Sequence, residues 1–241
     1  MTRAPSDTTF RLTSYNIHKA VGTDRQRDPV RILNVLAEID ADIVVLQEAD
    51  RRFGLRDRTL PSFLVEQHSE YVPVPFDVQH DSMGWHGNTI MVRQGIAVLD
   101  HDILHIPYLE PRGVVTASLR MPTGAELAVF GMHLDLSGLW RVRQARAIAE
   151  LARKAGRERP TLLAGDLNEW RTSGGCLKEF ARHFAVLDCG RSFPSRRPLG
   201  RLDRILHSAP FEPLECGVHT SRLASNASDH LPVWAEFRLP A

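Results

Sequence analysis

Apolar and polar residues alternate along this chain in runs whose period changes, and the changes mark out its elements. Phe10, Leu12 and Ser14 alternate with Arg11, Thr13 and Tyr15, a two-residue period that predicts a strand running into Asn16. Asp28 then suits an N-cap, with Pro29 at the first helical position, and Val30, Leu33, Leu36 and Ala37 recur at helical spacing to about Ile39. The block DIVVLQ, Asp42 to Gln47, is too short for a helix and predicts a buried strand that delivers Glu48 at its C-terminal end. Between Asn88 and Leu134, the runs NTIMVR, VVTASLRM and ELAVFGMHL predict three strands, most simply a meander, the last two joined by the turn-like PTGA. From Gly138 to Ala155, Leu139, Val142, Ala145, Ile148, Ala149 and Ala152 share one face while Arg141, Arg143, Arg146 and Lys154 fall elsewhere, which predicts a helix. TLLAGDLN predicts another buried strand, Gly174 and Gly175 break the chain before a short helix around CLKEFARHF, and LDRILHS, CGVHT and LPVWAEFRL predict three closing strands.

Strands therefore outnumber helices without alternating strictly with them. That favours two mainly antiparallel or mixed sheets packed together with helices outside over a doubly wound parallel sheet. At 241 residues the expectation is one domain, 1–241, with residues 1–8 as a loose tail. No eighteen apolar residues follow one another and the first ten residues contain no apolar run, so the expectation is a cytoplasmic protein with no transmembrane segment. Cys176, Cys189 and Cys216 lack CxxC spacing and read as reduced thiols. A formal charge of +1 disfavours a broad basic surface for nucleic acid while leaving a small anionic substrate open.

Residues with ligand or acid-base chemistry recur at predicted strand ends: Asn16, Gln47-Glu48, His133, Asp166 and Asn168, and Ser228-Asp229-His230. Singly, each reads as a turn former or a solvated strand end. Converging on one rim, they would make a site. Asn16, Glu48 and Asp229 suit Mg²⁺, a hard cation that takes few protein oxygens and keeps several waters. His133 and His230 suit proton transfer or donation to a phosphoryl oxygen. Phosphoester cleavage needs an attacking water, a neutralising cation and donors for the equatorial oxygens, and this set of residue types supplies all three. His18 and Lys19, just past Asn16, read equally as substrate contacts or as exposed loop residues. His101 and His105 are four apart, but no capped helix surrounds them and zinc is not expected. The clusters Arg51, Arg52, Arg56, Arg58 and Arg196, Arg197, Arg201 read as solvated faces.

SYNIHK, LQE at Leu46 to Glu48, GNTIMVR, HLD at His133 to Asp135, GDLN at Gly165 to Asn168, LDRIL and SDHLPVWAEF resemble, in order, the signature blocks of the endonuclease/exonuclease/phosphatase (DNase I-like) superfamily. The YNIHK block is most similar to that of small bacterial members. The resemblance implies a four-layer α/β sandwich with two packed β-sheets and helices outside. It implies that Glu48 holds Mg²⁺, with Mn²⁺ as a substitute, helped by Asn16 and Asp229. Asp166 and Asn168 would position or activate water at the scissile phosphate. Asp203 would orient His230, which binds or protonates a phosphate oxygen, and His133 would be a second phosphate donor. Arg112 resembles a phosphate-contacting arginine, and Asn88, in the GNTIMVR block, joins it and His18 as an expected substrate contact. Asp77, Asp81 and Glu110 stand as alternative carboxylate partners of His133. The expected activity is hydrolysis of a phosphodiester, in nucleic acid or in a phospholipid or sphingolipid head group. The alternatives are a phosphomonoesterase on a small or inositol-like phosphate and a catalytically silent binding module.

Overall fold

The computed structural model of the chain describes residues 9–51, 57–76 and 82–239. The expected tail of residues 1–8, together with Arg52, Arg56, Asp77 and Asp81, lies outside the described residues. In chain order the elements are β1 (Thr9–Asn16), α1 (Pro29–Ile39), β2 (Ile43–Gln47), α2 (Ser62–His68), β3 (Tyr71–Pro73), β4 (Thr89–Arg93), β5 (Ala97–Leu104) and β6 (Val114–Arg120). They continue with β7 (Glu126–His133), α3 (Gly138–Ala155), β8 (Thr161–Asp166), α4 (Gly175–Phe180), β9 (Ala185–Val186), β10 (Asp203–His207), β11 (Glu212–Val218), α5 (Arg222–Ala227) and β12 (Val233–Arg238).

Two six-stranded sheets form, in the orders β11-β12-β1-β2-β4-β3 and β5-β6-β7-β8-β10-β9. Each contains one parallel pair, β1 with β2 and β7 with β8, bridged by α1 and α3 respectively; all other pairings are antiparallel. The expected sandwich of two mixed sheets with helices outside is what the chain adopts.

Side-chain alternation divides each strand between two cores. Phe10 and Leu12, Ile43 and Val45, Leu127 and Val129, Leu162 and Ala164, and Val233 and Ala235 meet between the sheets. Tyr15, Val44 and Leu46 pack instead on α1, and Phe130, Met132 and Leu163 on α3 and α4. α1 begins as the sequence predicts, with the Asp28 carboxylate accepting the Arg31 amide at 3.1 Å. In α3 the buried stripe is Ala145, Ile148, Ala149 and Ala152, whereas Leu139 at its start stands 61 % exposed.

Two expectations are corrected. NTIMVR does not join a meander with the two runs that follow: β4 pairs with β2 in the first sheet, and the meander is β5-β6-β7. β5 itself carries no apolar signature because it is an edge strand whose Asp100, His101 and Asp102 face water. β11, another edge strand, likewise starts at Glu212, upstream of the CGVHT run.

β7 and β8 approach closely at the glycine of GDLN. Gly165 has φ +157°, and a Cβ there would lie 1.8 Å from the Met132 carbonyl oxygen. Gly165→Ala is expected to cost about 3 kcal/mol, measured as a lower urea midpoint; an unchanged midpoint would refute this reading of the strand spacing.

Candidate active site

Between the sheets the apolar stripe changes chemistry at one end. Along β1 it runs Phe10, Leu12, Ser14, Asn16; along β2, Ile43, Val45, Gln47; along β8, Leu162, Ala164, Asp166. β7 ends in His133, β10 begins at Asp203, and residues 229–230 lead into β12. The pairings Asn16 to Gln47, His133 to Asp166 and Asp166 to Asp203 bring these ends to one rim. The last inward positions of several strands are thus polar, buried and adjacent.

Asp166 is the hub. Its Oδ2 accepts from Asn16 Nδ2 at 3.0 Å, joining the two sheets, and lies 3.4 Å from His133 Nε2 and 3.7 Å from His230 Nε2. Its Oδ1 accepts the Asn168 amide at 2.9 Å, while Asn168, held at φ +50°, donates its own Nδ2 to the Leu134 carbonyl at 2.9 Å. Asp203 Oδ2 meets His230 Nδ1 at 2.9 Å and accepts from the Ser192 hydroxyl. Ser192 carries no motif and is legible only in three dimensions.

The two imidazoles are driven apart. Burial and the facing Arg112 guanidinium lower the His133 pKa to about 4, against the pull of Asp166 and Glu48. Burial also opposes charge on His230, but Asp203, hydrogen-bonded to it, and Asp166 prevail and raise it to about 10. At neutral pH one histidine is an imidazole and the other an imidazolium, a separation that fits distinct acid and base duties.

Arg112 Nη1 sits 3.0 Å from His133 Nδ1 and 2.9 Å from Nε2, so it can donate to whichever nitrogen lacks a proton. Glu110 accepts from Arg112 Nη2 at 3.1 Å, and among the described residues Asp166 is a carboxylate in direct range of His133, with Asp77 and Asp81 outside them. Asp135, buried in the HLD block, accepts the amides of Leu109, Glu110 and Ser137 at 3.2, 3.1 and 2.9 Å and so fixes the loop that carries Arg112. Asn88 is fully buried; its Nδ2 donates to the carbonyls of Gly113 and Trp85 at 3.1 and 3.2 Å, bracing the same loop, and its Oδ1 has no hydrogen-bond partner among the described residues.

Glu48 lies at φ +55° with its side chain 24 % exposed, paired with the Lys19 ammonium. Burial would raise its carboxyl; the charges facing it, His133 when protonated and Lys19, bring it down to about 2. His18, Lys19 and Ala20 hold three successive positive φ angles of 45°, 57° and 58°, a left-handed turn that is costly for residues with a Cβ. This turn sets the Lys19 amide 3.1 Å from the Glu48 carbonyl and His18 Nδ1 3.9 Å from Asp229 Oδ1. The Asp229 side chain is 40 % exposed.

Two carboxylate groupings could receive a cation. Asp166, Asp203 and His230 offer ligand atoms within 4.8 Å of one another, which makes a buried cluster able to bind a metal ion. In the structure, however, His230 Nδ1 is engaged with Asp203, the geometry of an orienting dyad. Glu48 is an ionised carboxylate paired with the Lys19 ammonium at the edge of the site, and Asn16 and Asp229 are its expected partners around a cation. Its oxygen-only donor set fits a hard divalent ion.

The chain is similar to known proteins over nearly its whole length. Residues 13–230 match the model of the Endonuclease/Exonuclease/phosphatase family. The uncharacterized protein YbhP of Escherichia coli (strain K12) is 28 % identical over 249 residues, spanning 95 % of this chain and 96 % of its own. An endonuclease/exonuclease/phosphatase family protein from Bacteroides thetaiotaomicron superposes with a TM-score of 0.77 at 21 % identity, covering 97 % of this chain and 99 % of that one. The mannosyl-6-phosphatase Bt3783 of Bacteroides thetaiotaomicron VPI-5482 gives 0.75 at 21 % over 95 % and 99 %, and D. rerio TDP2 with a single-strand DNA product gives 0.74 at 18 % over 95 % and 98 %. With the family match spanning nearly all of the sandwich and the strand ends that meet at its rim, the chain belongs to the Endonuclease/Exonuclease/phosphatase family.

Proposed function

We propose that this protein is a Mg²⁺-dependent hydrolase of the head-group phosphodiester of phospholipids or sphingolipids, substrates that carry an apolar lipid body. The observation that carries the hydrolytic reading is the meeting of Asn16, His133 and His230 around one buried carboxylate, Asp166. Mg²⁺, held by Glu48 with Asn16 and Asp229, would neutralise charge building on the phosphoryl oxygens, with Mn²⁺ as a substitute. Asp166, fixed by Asn16 and by the Asn168 amide, takes the proton of the attacking water, and Asn168 helps to hold that water at phosphorus. His230, kept protonated and aimed by Asp203, gives its Nε2 proton to the leaving oxygen as the bond from that oxygen to phosphorus breaks, so that the alcohol leaves neutral. His133 and Arg112 bind the remaining phosphoryl oxygens, with Asn88 bracing their loop and His18 at the edge.

The lipid reading rests on what surrounds this rim. Tyr108, Leu109, Leu136, Leu139, Trp170 and Leu199 are between 54 % and 64 % exposed, and all lie on loops at the site end of the second sheet or on the start of α3. Exposed apolar groups gathered at one mouth are a binding feature more often than an accident. A nucleic acid could stack on Tyr108 and Trp170 but would leave the four leucines in water.

The test is turnover of phospholipid and sphingomyelin mixed micelles, plasmid, single-stranded oligonucleotides, RNA, bis-p-nitrophenyl phosphate and phosphomonoesters, each with Mg²⁺, Mn²⁺ or EDTA and an Asp166→Ala control. Micellar diesters are expected to be the best substrates, and Trp170→Ser with Leu139→Ser should lower micellar kcat/KM by about tenfold or more with bis-p-nitrophenyl phosphate unaffected. Faster turnover of plasmid or of monoesters would defeat the lipid reading, and activity surviving Asp166→Ala would be contamination.

A further inference from the structure

A second cavity lies on the other face of β10 from the hydrolytic rim. Alternation along this strand turns Asp203 and Ile205 toward the opposite sheet and leaves Arg204 and Leu206 facing the helix layer. The cavity, of about 350 Å³, is lined there by Arg204, Arg201 and Lys178 and by the hydroxyl-bearing Thr172 and Ser173. Its other wall includes Leu177 and Leu187. One carboxylate, Asp188, completes it, 3.0 Å from Arg201 Nε.

Arg204 is the residue that needs explaining. It is 4 % exposed, and among the described residues it forms no hydrogen bond and no ion pair. Its guanidinium, five N–H donors on a largely buried delocalised cation, therefore has no protein acceptor among the described residues and only the small solvent contact that 4 % exposure allows, an arrangement that an apolar side chain of similar length would avoid. Burial accordingly pushes its pKa down, opposed mainly by Asp188. Guanidinium groups collect where planar oxyanions are recognised bidentately.

The surrounding loop is built, not slack. The Glu169 carboxylate accepts the amides of Arg171 at 3.2 Å and Cys176 at 3.4 Å and lies 3.6 Å from Arg141 Nε. Gly175, at φ +52°, passes so near that a Cβ would stand 2.2 Å from Glu169 Oε2. The segment that starts at Asn168 is thereby folded so that Thr172 and Ser173 reach the cavity wall.

We propose that this cavity is a binding site for a small organic phosphate, distinct from the hydrolytic site, with the phosphoryl group on Arg204 and Arg201 and the organic body on Leu177 and Leu187. Three cations against one carboxylate leave a net charge of +2, which matches a phosphate dianion better than a monocarboxylate. The volume is at the small end of that of ligand pockets and suits a compact molecule.

Phenylphosphonate is the probe, since its C–P bond resists hydrolysis, titrated into the full chain in EDTA and followed through the Arg204 Nε–Hε resonance assigned from its own backbone. A saturable shift is expected, retained in His230→Ala, with methylphosphonate binding at least several-fold more weakly for want of a body. Ligand-free Arg204→Met is expected to melt no lower than the wild type, because it removes an uncompensated charge. An Arg204 resonance that does not move, or that moves only while His230 is intact, overturns the proposal. So does an Arg204→Met variant that melts several degrees lower or does not fold, since Arg204 would then be a structural cation.

Discussion

His230→Ala is expected to lower kcat on bis-p-nitrophenyl phosphate by about a thousandfold with a modest change in KM and a retained fold. The reasons are geometric and electrostatic together. His230 Nδ1 is held 2.9 Å from Asp203 Oδ2 and its Nε2 faces Asp166 at 3.7 Å, so the imidazolium cannot turn away from the site. Asp203→Asn should give a large part of the same loss while leaving the ring in place, by removing the carboxylate that keeps the ring charged. Because the folded-state pKa is raised from 6.5 to about 10, the stability contributed by this pair is full below the unfolded value and is lost as pH rises through the folded one. In metal-free wild type, NMR should therefore show His230 still protonated at pH 8, with His133 already neutral at pH 6. Asp203→Asn should bring His230 down toward the ordinary range and cost about 3 kcal/mol at neutral pH. A His230→Ala enzyme with wild-type kcat would remove the residue from the mechanism, and a His230 titration near 6.5 in the wild type would remove the electrostatic account.

Glu48→Ala should be comparably severe, a loss of about a thousandfold that added Mg²⁺ does not restore. A second reading makes the cause visible. If Glu48 holds the cation, Mg²⁺ should raise the melting temperature of the wild type through linkage and leave Glu48→Ala unmoved. Lys19, deprived of its partner, should change little in stability, since the pair is partly exposed on both sides at 26 % and 24 %. Equal activity in Glu48→Ala, or an undiminished Mg²⁺ response, would place the cation elsewhere, with the Asp166, Asp203 and His230 cluster next in line.

Much of this site is legible in the sequence because its residues obey the rule that builds the core. Asn16 and Asp166 occupy inward positions of strands whose earlier inward residues are apolar, so a period-two stripe that turns polar at its last step announces a functional end. α1 and α3 are equally plain, since their boundaries follow from local capping and helical spacing. Partner choice is another matter. Nothing in NTIMVR states that β4 lies beside β2, because that pairing is settled by which of two cores can accept its face. β5 is silent for the opposite reason: an edge strand must be polar to stay unpaired, and polarity erases its period. The contacts of Ser192, Asp135 and Lys19 join residues 11 to 29 positions apart in ways that neither spacing nor residue type specifies. Arg204, next to Asp203 yet on the opposite face, shows how one strand can serve two chemistries.

The order of strands in the first sheet ties the proposed site to a contact between distant parts of the sequence. β1 lies between β2 and β12, and the segment that brings Asp229 and His230 leads into β12. A nascent polypeptide that has already formed the whole second sheet still lacks its imidazolium donor and one expected magnesium ligand. The proposed site can therefore be complete only once β12 pairs with β1, joining residues some 220 positions apart, such as Ser14 with Val233.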